Sequence, residues 1–79
     1  MELIPVKSSN IKAIGFKVTD CSSETKNGSG TLRIEFVHGA VYDYKNVPTI
    51  IYLNFLDAGS PGKFYHEFIN NKYNYIRQG

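Results

Sequence analysis

Four consecutive residues, Ser60-Pro61-Gly62-Lys63, combine features that suit an anion. Ser60 fits an N-cap and Pro61 a first helical position, where backbone N–H groups lack partners and the helix dipole is positive. Gly62 lets a ligand approach the main chain, and Lys63 adds a charge beside it. The plain alternative is a routine cap between two helices. The remaining elements of a Walker phosphate loop are missing, so no nucleotide hydrolysis is implied. A second polar cluster, Ser8-Ser9-Asn10, follows Lys7. Its side chains either donate to phosphate or base edges, or cap the backbone of a turn.

Charge placement adds a third feature. The 79 residues carry 9 Lys and Arg against 7 Asp and Glu. Over residues 1–59 the signs cancel, so the net +2 comes from Lys63, Lys72 and Arg77 against Glu67. Phe64, Tyr65, Phe68, Tyr73 and Tyr75 lie in the same segment. Cations interleaved with aromatics suit a ligand made of phosphates and bases, and they equally suit a solvated helix face with core rings.

Other chemistry is poorly supported. His38 and His66 have no Cys, Asp or Glu at metal-ligand spacing, so no metal site is expected. Ser60, His66 and Glu67 could be named as a triad, but neighbouring helical residues point about 100° apart and no nucleophile elbow is present. A non-enzymatic protein without a cofactor is expected. The single Cys21 excludes an internal disulfide framework. The opening "MELIPVKSSN" lacks the basic and apolar regions of a signal peptide, and no apolar run would span a bilayer. A soluble, cytoplasmic protein without a membrane partner is the expectation.

The elements that must position these residues follow from periodicity. Ile14, Phe16 and Val18 alternate with Gly15, Lys17 and Thr19, and "TLRIEFVHG" alternates again after a flexible polar loop at Cys21–Gly30. A turn at His38-Gly39 leads into "AVYDY". A two-residue loop there would put Asp43 and Lys45 on the apolar face, at a desolvation cost of several kcal/mol. A three-residue loop with Gly39 in the left-handed position pairs Phe36 with Ala40, Ile34 with Tyr42 and Leu32 with Tyr44. Arg33 then faces Asp43 on the solvent side, so this register is the expected one. It places the Tyr42 and Tyr44 rings mainly in the core, with hydroxyls needing a partner or the rim.

Helical spacing begins at Pro48, expected as the first helical residue. Ile51, Tyr52, Phe55 and Leu56 form the stripe and Gly59 the stop. A second helix starts at Ser60, carries Phe64, Phe68 and Ile69 inward, and ends at Asn70-Asn71. The tail "KYNYIRQG" alternates weakly, as a short extended segment would. The fold class is therefore α+β: one domain over residues 1–79, with a three-stranded antiparallel sheet followed by two helices.

The series "VKSSNIKAIGF", "TLRIEF", "GAVYDYKNVP" and "AGSPGKFYHEFINNKYNYIR" resembles the KTSC domain over Val6 to Arg77. The family is named for its occurrence at the C-terminus of some lysyl-tRNA synthetases, and it also occurs as small bacterial and phage proteins. Its Tyr-x-Tyr motif falls on Tyr42 and Tyr44, and its S-x-G-K element on Ser60, Gly62 and Lys63. The Cys21–Gly30 loop is longer than the family's usual connection. The synthetase fusions imply an RNA-binding role by association alone.

Two functions are thus expected from the sequence. One is a binding module for RNA or a small phosphate-bearing nucleotide, using Ser8, Ser9, Asn10, Ser60, Gly62, Lys63, Tyr65, Lys72, Tyr73 and Arg77; a phage protein that sequesters a signalling nucleotide is a special case. The other is a homo-oligomeric or protein-interaction module, favoured by small size, spare aromatics and free sheet edges.

Overall fold

The structure, a computed structural model, describes residues 2–20 and 28–79. The expected loop residues Cys21–Asn27 lie outside the described residues, and so does any role for Cys21. Five strands form one antiparallel sheet in chain order: β1 Ile4–Pro5, β2 Ile11–Asp20, β3 Ser29–Phe36, β4 Val41–Pro48 and β5 Tyr75–Arg77. Helix α1, Thr49–Leu56, leaves the end of β4 directly, and α2, Pro61–Phe64, runs on into a π-helical turn at Tyr65–Ile69. The α+β class holds, but the three-strand expectation undercounts by two. The two extra strands have 2 and 3 residues, too few to show a period, and both are exposed.

The hairpin between β3 and β4 adopts the charge-satisfying register. Leu32 pairs with Tyr44, Ile34 with Tyr42 and Arg33 with Asp43. Gly39 sits at φ 100°, its N–H donates to the Phe36 carbonyl at 2.9 Å, and the Phe36 N–H donates to the Ala40 carbonyl at 2.9 Å. Glycine is required there because a Cβ disfavours that backbone conformation. A different constraint acts at Gly30, where a Cβ would lie 2.1 Å from the Lys17 carbonyl oxygen. Ser29 and Gly30 belong to β3, so the expected loop is shorter at its C-terminal end than its composition suggested.

One face of the sheet carries Ile14, Leu32, Ile34, Phe36 and Tyr44, all buried, and the helices cover it with Phe55 and Ile69, both fully buried. Tyr44 is core, as the register required; Tyr42 is half-buried against the same cluster. Pro48 is not the first helical residue. It caps α1 in an extended conformation, still paired with Ser29, and Thr49 begins the helix with its hydroxyl and its N–H on the Gly28 carbonyl. The helix stops at Leu56 with Asp57 as C-cap, ahead of Gly59. The second helix also departs from expectation. The Asn70 N–H reaches back to the Tyr65 carbonyl at 2.8 Å, five residues away, and this wider turn keeps Ile69 inside while Phe68 is 46% exposed. Asn70 and Asn71 end it, the latter at φ 62°.

Among the described residues, no helix covers the opposite face of the sheet. Arg33 grips Asp43 there through Nε and Nη2 at 2.7 and 2.8 Å, and the Arg33 bonds hold the Asp43 carboxyl below the usual carboxylate range despite its burial.

Candidate functional site

The two clusters singled out by residue type, Lys7–Asn10 and Ser60–Lys63, are 50 positions apart and meet in space. Lys7, Ser8, Ser9, Asn10, Ser60, Gly62, Lys63 and His66 line one open groove of about 490 Å³, together with Gly59 and Pro61. Contact between the walls is close: a Cβ on Gly62 would sit 3.5 Å from Ser8 Oγ and 3.7 Å from Asn10 Nδ2. A Cβ there would be in ordinary van der Waals contact with the polar turn, so the glycine leaves a shallow open floor between them.

Ser8 Oγ accepts hydrogen bonds from the backbone N–H groups of Asn10 at 3.2 Å and Ile11 at 3.3 Å. Its structural role as a turn cap is therefore real, and its own O–H proton stays available to donate. Ser60 holds the N-cap position without a side-chain cap bond. The helix start is a weaker anion site than its sequence suggested, because α2 has only 4 residues before the π-turn and a macrodipole needs length. What remains is a groove rimmed by two lysines, with hydroxyl and amide donors on its walls. No carboxylate lines it among the described residues.

A smaller hollow of about 230 Å³ adjoins the groove and shares Asn10, Gly62 and His66 with it. Ile11, Phe36, His38 and Tyr65 complete its walls. His38 stacks on Phe36 with centroids 5.6 Å apart and planes 11° from parallel, and Tyr65 meets Phe36 edge-on at 5.4 Å. The Tyr65 hydroxyl lies 2.8 Å from that of Tyr44 and donates to Asn70 Oδ1 at 3.5 Å. Burial, reinforced by the Tyr65 hydrogen bond, pushes the Tyr44 phenol well above its ordinary range. Sequence reasoning missed His38 and His66 as lining residues, because only the fold brings positions 38 and 66 to one hollow. The expected tight turn at His38-Gly39 did carry a usable signal, since it projects His38 beside Phe36.

The remaining expected site residues lie elsewhere. Lys72 and Tyr73 line a separate concavity with Asn71, Asn74 and Tyr75. Arg77 sits on the edge strand β5, its guanidinium 5.9 Å from the centre of the Tyr42 ring and its Nε donating to the Gly79 carbonyl. The C-terminal cations and rings therefore do not converge with Ser60-Lys63 on one patch. Charge placement along the chain groups them in one segment, and the turn at Asn71 separates them.

A five-stranded antiparallel meander with short helices on one face, and a polar groove beside an aromatic hollow, defines a small α+β domain. Residues 7–73 match the family model described as the KTSC domain, and the chain belongs to that family. A solved KTSC domain protein from Yersinia pestis is similar to it with a TM-score of 0.81 and 30% identity, covering 99% of this chain and 97% of that one. A lysine–tRNA ligase from Trichormus variabilis is 40% identical over 45 residues, 57% of this chain. The chain spans 8% of that ligase. No helix among the described residues is long and apolar enough to cross a membrane.

Proposed function

We propose that this domain is a non-enzymatic binding module for a phosphate-bearing ligand, RNA or a nucleotide, held in the Ser8–Gly62 groove. The observation that carries the reading is the meeting of Lys7–Asn10 with Ser60–Lys63 across Gly62, which gathers donors and two cations with no lining carboxylate among the described residues. Lys7 and Lys63 supply charge to the phosphate, and the Ser8 hydroxyl and Asn10 amide supply direction. The adjoining hollow, with the His38–Phe36 stack and Tyr65, offers planar surfaces to a base. The similar segment of a lysine–tRNA ligase favours RNA as the source of that phosphate.

Fluorescence anisotropy with a labelled single-stranded RNA, tRNA and mononucleotides tests this at two salt concentrations. With two phosphate contacts on a single strand, the slope of log K against log salt is expected at about −1.5. Gly62→Ala adds a methyl at ordinary contact distance from Ser8 and Asn10, so it keeps the fold while raising the groove floor. It should weaken binding without lowering Tm, as should Lys7→Ala with Lys63→Ala. Binding indifferent to all three substitutions would refute the groove.

A second reading rests on α1. Its sequence TIIYLNFL has no charge, and Ile50 and Leu53 are 43% and 52% exposed on its outer side. That surface supports self-association. Light scattering of the wild type against Leu53→Asp distinguishes it: a strict monomer at high concentration removes the oligomer from consideration.

A further inference from the structure

The helix-free face of the sheet gathers cations that the linear charge pattern scatters. Lys17 on β2 stands opposite Thr31 on β3. Lys45 flanks Thr31 from the other side, in the stretch of β4 where the ladder shifts between the Leu32–Tyr44 and Gly30–Val47 pairs. Such a bulge re-aims side chains, and Asn46 beside it takes φ 57°. Adjacent strands are about 4.8 Å apart, so the two lysine backbones lie about 10 Å from each other across Thr31. Their long side chains can close on one small anion between them. One residue row further along, Gly15, Arg33 and Asp43 pair across the same three strands. Lys17, Thr19, Thr31, Arg33, Asp43 and Lys45 line a shared concavity of about 330 Å³.

The arrangement is built rather than incidental. Asp43 is 4% exposed, and it fixes Arg33 by two hydrogen bonds that engage two of the five guanidinium N–H groups. Arg33 itself remains 32% exposed, so its fork is held in place while part of it faces solvent. An arginine oriented by a carboxylate behind it loses little freedom when it grips an anion. The charge is three cations against one carboxylate, a surplus equal to the net charge of the whole chain, +2. Among the described side chains, Glu35 is a further carboxylate on this face, two positions beyond Arg33 on β3, paired with Ala13 and Val41 and away from the lysine row.

We propose that Lys17, Arg33 and Lys45 form a second oxyanion site, independent of the Ser8–Gly62 groove, that binds a phosphate group over Thr31. The ligand class is a polyphosphate or the phosphodiester backbone of a nucleic acid, which share this chemistry.

Amide resonances of the full chain followed by NMR during separate titrations with inorganic tripolyphosphate and a single-stranded RNA oligomer, at low salt, test the site. Progressive shifts centred on Lys17, Thr31, Arg33 and Lys45 are expected. Saturation by tripolyphosphate alone assigns a free polyphosphate, and saturation by the RNA alone assigns the backbone. Lys17→Gln with Lys45→Gln, both solvent-facing changes, should lower affinity at these resonances about tenfold. Lys63→Gln should leave them unmoved. Shifts confined to Ser8–Asn10 and Gly62, or a Lys17→Gln/Lys45→Gln protein titrating on this face like wild type, would overturn the proposal.

Discussion

Replacing Tyr44 separates what its ring does from what its hydroxyl does. The ring is 2% exposed, packed between the Tyr65, Tyr42 and Tyr75 rings with centroids 5.4 to 6.4 Å away. Its hydroxyl has one close partner among the described residues, the Tyr65 hydroxyl at 2.8 Å. Tyr44→Phe therefore removes a single neutral hydrogen bond, and Tyr65, half-buried, can turn to water. The expected loss is about 1 kcal/mol. Tyr44→Ala removes the ring as well and should cost about 3–5 kcal/mol. At about 0.05–0.15 kcal/mol per residue, a domain of 79 residues has about 4–12 kcal/mol to lose, so the Ala variant removes a large share of it. Urea denaturation followed by circular dichroism reads both values. With m of about 1 kcal/mol/M, the Phe variant should shift its midpoint by about 1 M and the Ala variant by about three to five times as much. The Phe variant also changes alkaline behaviour. Because the folded state holds the Tyr44 proton more tightly than the unfolded chain, that contribution is complete below pH 10 and is lost as pH rises beyond it. Tyr44→Phe should flatten the loss of stability above pH 10 by up to one proton, about 1.4 kcal/mol per pH unit. Tyr52, also pushed up by burial, keeps its own share. A Phe variant as damaging as the Ala variant, or one with an unchanged alkaline slope, would refute the core assignment.

Gly30→Ala should force β2 and β3 apart, because the new methyl would meet the Lys17 carbonyl at 2.1 Å. A loss of about 3 kcal/mol is expected, seen as a fall of more than about 10 °C in Tm by calorimetry; a loss under about 1 kcal/mol would contradict the strand contact. Asp43→Asn should cost about 2 kcal/mol at neutral pH, since it weakens a fork of charged hydrogen bonds to Arg33. The carboxyl is held below its ordinary range, so its stabilisation is present above about pH 4 and fades as pH falls below that. Urea midpoints between pH 7 and pH 2 should therefore converge for the two proteins at the acid end, and parallel curves would show that the pair does not titrate as a unit.

The parts of this fold that were legible from residues alone are those where a wrong arrangement would bury a charge. Asp43 and Lys45 decide the β3–β4 register, and with it the inward position of Tyr44. Asp43 is 4% exposed even in the observed register but is paired there with Arg33, whereas the competing loop length would turn it to the apolar face without that partner. Where no such penalty acts, the residues say little. A strand of 2 residues such as Ile4–Pro5 has no period to detect, and its pairing with Ala13 and Ile14 exists only through the tertiary fold. The π-turn at Tyr65–Ile69 is equally silent. An α-helical count would have set Phe68 inside, whereas the extra residue per turn lets Tyr65 reach the Tyr44 hydroxyl and sends Phe68 outward.

The candidate sites follow the same division. Ser8–Asn10 and Ser60–Lys63 were visible as separate clusters because each is contiguous, but their meeting across Gly62 is a property of the fold. Contiguity misled in the tail, where Lys72, Tyr73 and Arg77 look like one patch and occupy different surfaces. Counting charge along the chain misled most. Residues 1–59 balance to zero, yet Lys17, Arg33 and Lys45 come from that balanced part, one from each central strand. Antiparallel pairing folds a neutral stretch so that alternate residues share a face, and the sign of that face depends on parity and register, not on the total. In this domain the same register that drives Tyr44 into the core turns Arg33 and Asp43 outward together. The core motif and the proposed basic face are thus two consequences of one loop length, and lengthening the His38-Gly39 turn by one residue should disrupt both.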